Sequence, residues 1–400
     1  MRNRILLVSA IWLFSVPSLF AQYVPPPPTP VQPDPGVARF PPDPAPAVAA
    51  PAPDTFRFWV RAEYLGWWVK NTPAPISILT GDPANPNVEL LNSDRSFGMF
   101  SGFRIGLGGW LDPNGNLGME ANYFFLNRRS RRLIASSDET GNPTLAYSFF
   151  SQDPGNIGEN LLFISSPGVF GGTVAVTSSL QLLGAEVNGL FSLWRQNNGF
   201  EVTGLVGFRY LNLRETLDID TFSSALTTNP TTDLFMHDAF ATRNEFYGGQ
   251  VGVRVAWQGD YLGADVTGKL GIGATRQTID VQGFSTQMGP GGPNGVFPGG
   301  FYTQPSNIGR TTANQFSLIP AIEAKFFVQI TQHLRIFVGY DFLYWNRVVR
   351  PGNQVDRNIN LTQSVALGGG ALNGQASPMP LLNRSDFWTQ GVNVGLEIRY

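Results

Sequence analysis

From Phe56 to Tyr400 the chain repeats one pattern, with apolar residues at every second position and polar or charged residues between them. Ten segments carry it: Phe56–Val69, Gly98–Trp110, Leu117–Asn127, Ser179–Trp194, Phe200–Asn212, Arg243–Trp257, Tyr261–Ala274, Asn314–Thr331, Leu334–Asn346 and Asp386–Tyr400. In the last, Trp388, Val392, Val394, Leu396, Ile398 and Tyr400 share one parity, with Gln390 as the exception. The other parity holds Asn393, Gly395, Glu397 and Arg399. A period of two predicts a β-strand with one apolar and one polar face.

Connections between these segments alternate in length. Those after the second, fourth, sixth and eighth are tight turns built on Asn, Gly, Asp or Gln. Those after the first, third, fifth, seventh and ninth are long and polar, at 70–97, 128–178, 213–242, 275–313 and 347–385. Short turns at one end, long loops at the other and an even strand number predict an all-β, antiparallel, up-and-down transmembrane β-barrel. The short turns then face the periplasm and the long loops face outward. A further hairpin within 144–178 would raise the count from ten strands to twelve.

A soluble β-sandwich also alternates, but with its apolar face inward. Three features separate the two. The apolar parity almost never carries a charge. Trp67, Trp68, Trp110, Trp194, Tyr210, Trp257, Tyr344, Trp345, Trp388 and Tyr400 gather near segment ends, where interfacial girdles lie. The polar parity is rich in Gly and Asn and poor in Lys, unlike a solvated surface. Composition agrees, since charged residues make up 14% against ~25% in ordinary soluble domains. With 27 basic and 29 acidic residues, the near-neutral balance points to no nucleic-acid partner. There is no cysteine, which excludes disulfides and thiolate metal sites. No apolar run of ~20 residues follows the first segment, so any membrane crossing is made by strands.

At the start, Arg2 and Arg4 precede an apolar run from Ile5 to Phe20 that ends at Ala21, which predicts a secretory signal peptide at 1–21. Residues 22–55 are dominated by Pro, Ala and Asp and predict an extended periplasmic linker that buries no core. Residues 56–400 form the barrel.

The polar parity holds Arg61, Arg104, Arg209, Arg254, Lys269, Lys325, Arg335 and Arg399 against Glu63, Glu120, Glu186, Glu201, Asp265, Glu323, Asp341 and Glu397. These are the candidate pore-lining residues. Ten strands enclose little more space than the eight-stranded barrels whose interiors side chains fill. Charges in so narrow a lumen pair with one another, because an unpaired buried charge is costly. The lumen is therefore either a narrow pore or a channel closed by its own ion pairs. Arg347 and Arg350 follow the ninth segment and are candidates for the pore mouth, with Pro351 and Gly352 turning the chain into the fifth loop. Asn393, Gly395, Ile398 and Tyr400 are similar to a C-terminal assembly signal, which makes barrel-insertion machinery and outer-membrane lipid the expected partners.

The blocks RAEYLGWWVKNTPAPISILTG (61–81), GFRYLNLRETLDI (207–219), FATRNEFYGGQVG (240–252), SNIG (306–309), VGYDFLYWNRVVRPGNQVDRNIN (338–360) and FWTQGVNVGLEIRY (387–400) resemble β-barrel porin family 7, planctomycete-type outer-membrane β-barrel proteins. The resemblance runs from about Phe58 to Tyr400. It implies a bacterial outer-membrane barrel, and it brings no substrate, cofactor or catalytic residue. The expected function is narrow, passive diffusion of small solutes. The alternative is a non-conducting structural or surface-binding barrel that acts through its long loops.

Enzymatic chemistry has little to draw on. The chain has two histidines, and a hydrolytic site needs a nucleophile beside a positioned base. The candidate is His237 with Asp233 and Asp238, and no catalysis, cofactor or metal is expected. Glu215, Asp218 and Asp220 lack the spacing of a calcium loop. The cluster RRSRR (128–132) reads as a solvated strand extension or as a holder of lipid-borne phosphate.

Overall fold

The computed structural model describes residues 58–73, 78–82, 85–87, 96–227, 231–290 and 292–400. The expected signal peptide (1–21) and Pro-rich linker (22–55) lie outside them. Ten antiparallel strands form a ring: β1 (Phe58–Val69), β2 (Phe100–Trp110), β3 (Leu117–Ser136), β4 (Phe170–Arg195), β5 (Phe200–Ala225), β6 (Asp233–Gln258), β7 (Leu262–Met288), β8 (Gly309–Gln329), β9 (Leu334–Val349) and β10 (Arg384–Arg399). Each strand pairs with its neighbours in sequence. The ring closes where β1 meets β10, from Trp59 opposite Arg399 to Val69 opposite Thr389. At the membrane-spanning level closure pairs both edges of every strand, the condition for crossing a bilayer with strands.

The apolar parity faces outward. Val60, Tyr64, Ile105, Leu107, Val206, Phe208, Val253, Ile322, Val338 and Val394 are all exposed. The polar parity faces inward, and Glu63, Arg104, Glu120, Lys269, Lys325 and Asp341 are all buried. An arrangement with hydrocarbon outside and ions inside is stable only when lipid surrounds the ring.

The loops are shorter than the sequence pattern implies, because the strands run on. β4, β5 and β6 each have 26 residues and β7 has 27, whereas a tilted strand crosses a bilayer in roughly 9–11. The surplus lies at the loop end, where alternation continues with its sign reversed. On β5, Val206 and Phe208 point out, but past Tyr210 the outward residues are Arg214, Thr216 and Asp218. The inward residues there are Leu213, Leu217 and Ile219, all fully buried. These extensions, from β3 to β8, continue the wall into water as a sheet with an apolar inner face.

The hairpin within 144–178 exists, at Leu145–Ser151 and Gly158–Ser165, but it does not join the ring. It pairs with Ile78–Asp82 and with Asn358–Ile359 to build a separate small sheet. Ile78, Leu145, Tyr147 and Phe149 of this sheet pack in one buried cluster with Val176, Leu217, Ile219, Phe240, Ile279, Phe301 and Tyr302. The sheet thus caps the loop end of the barrel from within. Tyr147 stacks on Phe301 at 5.2 Å and its hydroxyl lies 2.7 Å from Thr221 Oγ1 on β5.

Candidate functional site

From the turn end to the loop end the interior is layered. A vestibule of about 150 Å³ at the turn end is lined by Arg61, Glu201, Arg254, Asp265, Arg335, Glu397 and Arg399. Above it the charges interlock. Arg61 lies 3.2 Å from Glu397 and 3.3 Å from Glu120, and Glu120 also meets Arg254 at 2.9 Å. Glu397 further pairs with Arg335 at 3.7 Å and with Arg399. Lys325 approaches Glu63 at 2.8 Å, Arg104 joins Glu63 (3.1 Å) to Asp341 (2.9 Å), and the Asn393 amide donates to both carboxylates. Glu186 accepts from Arg209 at 2.6 Å and from Lys269, whose ammonium also meets Glu323 at 2.8 Å. Glu201 pairs with Arg195 at the β4–β5 turn.

Every charged residue of the polar parity singled out above except Asp265 therefore holds an ion pair among the described residues. Five of these links join strands that are not neighbours in the ring: Arg61–Glu120, Glu120–Arg254, Glu63–Lys325, Arg104–Asp341 and Glu186–Lys269. The space left among them is a cavity of about 30 Å³ lined by Arg104, Asn122, Glu186, Arg209, Glu323 and Asp341, room for two or so waters at ~10–15 Å³ each.

The next layer has no ionisable side chain. Leu65, Trp67, Leu126, Leu182, Leu211, Phe246, Ile319, Trp345 and Phe387 point inward, at most 2% exposed, and form one cluster. Trp345 Nε1 donates to Thr275 Oγ1 at 3.1 Å, so its polar edge is satisfied. Above this plane sits a buried ion pair that the sequence pattern does not mark. Arg350 Nη2 lies 2.6 Å from Glu215 Oε1, and both side chains are fully buried. The guanidinium also donates to the carbonyls of Asn71 (2.6 Å) and Lys70 (3.2 Å). One side chain thereby ties the first loop, the fifth loop and the β5 wall together.

Arg347 and Arg350 have different environments. Arg350 reaches the interior. Arg347 is exposed at a bulge between Trp345 and Val348, with a left-handed φ of 54°, and its carbonyl accepts from Gln277. Pro351–Gln354 forms a 3₁₀ turn at the start of the fifth loop. In the last strand, Asn393 is buried against Glu63 and Asp341. A Cβ on Gly395 would lie 2.6 Å from the Phe337 ring. Ile398 is exposed among the outward apolar residues, and Tyr400 stacks on His333 at 5.4 Å.

The structure corrects the surroundings of His237. Neighbours in a strand face opposite ways, so Asp238 points inward, away from His237, while Asp233 accepts from the Ser224 hydroxyl. The partner of His237 is Asp220 across the β5–β6 ladder, Nδ1 to Oδ1 at 2.7 Å on the outer wall. No nucleophile hydrogen-bonds to this pair among the described residues. Glu215 faces inward while Asp218 and Asp220 face outward, so those three carboxylates do not share a site. No group of three potential metal ligands occurs among the described residues.

Asp238 is structural. It accepts from the backbone N–H of Phe301 (3.1 Å) and Thr303 (2.7 Å) and from the Thr303 hydroxyl (2.6 Å), pinning the fourth loop inward. Gly300 allows this approach, since a Cβ there would lie 2.4 Å from Asp238 Oδ1. Burial of Asp238, on the extension beyond the bilayer, raises its pKa to about 6 despite these donors.

A family model described as putative beta barrel porin-7 (BBP7) matches residues 59–400. The chain belongs to this family. Membership makes it a porin-like outer-membrane barrel of bacteria. No curated protein matches the sequence. Among solved structures, the outer membrane protease OmpT from Escherichia coli is similar at 8% identity, with 86% of this chain and 97% of that chain covered and a TM-score of 0.40. A Pseudomonas aeruginosa FadL homologue shares 9% identity over 87% and 90% of the two chains, with a TM-score of 0.20. The outer membrane channel DcaP of Acinetobacter baumannii shares 8% over 86% and 96%, with a TM-score of 0.17. Similarity this distant does not bear on the activity of this chain.

Proposed function

We propose that this porin-like barrel is closed in its resting conformation and acts through the folded cap and outer wall of its loop end, rather than as an open diffusion pore. The supporting observation is the apolar layer around Trp67, Phe246 and Trp345, which lies over an ion-paired layer with only a water-sized cavity. An ion passing that plane would shed its hydration with no charged group to replace it. The second reading is narrow, passive diffusion of small solutes. It is favoured by the family description and by the charged vestibule at the turn end, and it requires the apolar layer to part. Single-channel recording of the refolded protein in a planar bilayer separates the two. Silent insertion is expected, and stable, salt-dependent steps from the unmodified protein would overturn the closed-barrel reading in favour of the channel.

A further inference from the structure

The outward rows of β5 to β8 just beyond the bilayer form a groove of about 700 Å³ on the outside of the barrel. Small residues make its floor: Thr216 on β5, Ala239 and Ala241 on β6, and Thr278 on β7. Four arginines rim it: Arg214, Arg243, Arg276 and Arg310. Arg214 and Arg243 are direct cross-strand partners on the same face, a like-charge pairing that costs stability unless an anion lies between them. Glu245 holds Arg243 at 2.5 Å, Asp280 faces Arg310 at 3.6 Å, and Asp218 is engaged by the Thr216 hydroxyl. Arg214 and Arg276 are exposed and form no ion pair among the described residues.

We propose that this groove binds the phosphate groups of a phosphorylated lipid of the outer leaflet, with Arg214 and Arg276 as the principal anion contacts. Guanidinium forks suit phosphate because they donate two parallel hydrogen bonds to it. Two strand spacings of ~4.8 Å and a two-residue register offset of ~7 Å put their Cα atoms roughly 12 Å apart, a span that two long guanidinium side chains close onto a phosphate and its sugar. Position favours a lipid over a free anion. Beneath the arginines, past the cross-strand pair Asn212–Glu245, lie Tyr210 and Tyr247, ring centroids 5.0 Å apart, and below them exposed Phe208 and Val251. A headgroup in the groove therefore sets its acyl chains against the lipid-facing wall. The RRSRR segment does not form this site. Arg129 and Arg131 donate to the carbonyls of Met99 and Ser96, and Arg128 donates to Ser179.

The test uses the refolded full chain in detergent and three probes: a bis-phosphorylated diglucosamine lipid, the same lipid with its phosphates removed, and inorganic phosphate. Native mass spectrometry should show the phosphorylated lipid retained at least tenfold more tightly than the dephosphorylated one. Arg214→Gln combined with Arg276→Gln should lose about tenfold, the scale of one charged hydrogen bond. Ala241→Trp should also lose binding, because it fills the floor and leaves every arginine in place. Equal retention of the two lipids, or unchanged binding in both variants, would overturn the proposal. Inorganic phosphate displacing the lipid at equal concentration would reassign the groove to soluble anions.

Discussion

Replacing Arg350 with Met tests whether the cap is locked by one ion pair. Methionine keeps the stem that packs near Phe387, whose ring centroid lies 5.7 Å from the guanidinium, but removes every donor. Glu215 is then left fully buried beside Thr72 alone, with Thr72 Oγ1 at 3.3 Å. Removing one member of a buried pair costs ~3–5 kcal/mol, because the other charge stays desolvated without a partner. The carbonyls of Lys70 and Asn71 also lose their donor, at ~1 kcal/mol each where water does not reach them. The double variant Arg350→Met with Glu215→Leu removes both charges and should recover most of the loss. The cap can open without the ring unfolding, so hydrogen exchange across 351–383, in protein refolded into lipid vesicles, is the appropriate assay. Loss of protection in the single variant and its return in the double are expected. If the single variant stays within about 1 kcal/mol of the parent, or the double is no better than the single, the locking role of this pair is refuted.

Two other perturbations test neighbouring layers. The raised pKa of Asp238, about 6, means that the folded protein holds a proton that the unfolded chain, near ~3.9, releases first. Stability conferred on the fourth loop is therefore fully present below about pH 4 and lost as pH rises through 6, by about 3 kcal/mol across the window. Exchange protection over 299–308 should fall across that range in the parent and stay flat in Asp238→Asn; an equal slope in both would exclude Asp238 as the titrating group. Trp345→Ala should cost ~3–5 kcal/mol in urea titration through the cavity it leaves, and should admit ions where the parent is silent. A variant destabilised by that amount yet electrically silent would move the seal away from the apolar layer.

The membrane half of the barrel was legible because lipid imposes one rule on every outward position. Any strand crossing it must alternate with the apolar residue outside, and ten segments do. The loop-end extensions obey the opposite rule, and their signal was also present. In Leu211-Asn212-Leu213-Arg214-Glu215-Thr216-Leu217-Asp218-Ile219 the period of two persists, but the parity of the apolar residues has switched. Polar residues at positions held outward by the preceding strand resemble a loop, which is why the sequence pattern ends this strand at Asn212 and the structure carries it to Ala225. The cap was signalled only in part: the hairpin within 144–178 was marked, but its place and its partners were not. Its strands are short, and it pairs Asn358 with Phe150 and Ile78 with Tyr147, contacts that local spacing does not encode. The pairing of Arg350 with Glu215, 135 residues away, is invisible for the same reason.

The switch of parity also locates a boundary. A strand whose outward face passes from Phe208 and Tyr210 to Arg214 and Thr216 has passed from hydrocarbon to water, and its inward face must then pass from ions to hydrocarbon. β5 to β7 make this change at matching registers, Tyr210 opposite Tyr247 and Tyr247 opposite Ala274. The apolar seal inside and the arginine groove outside therefore lie just past one level of the barrel, and both follow from the same exchange of solvents along a continuous strand.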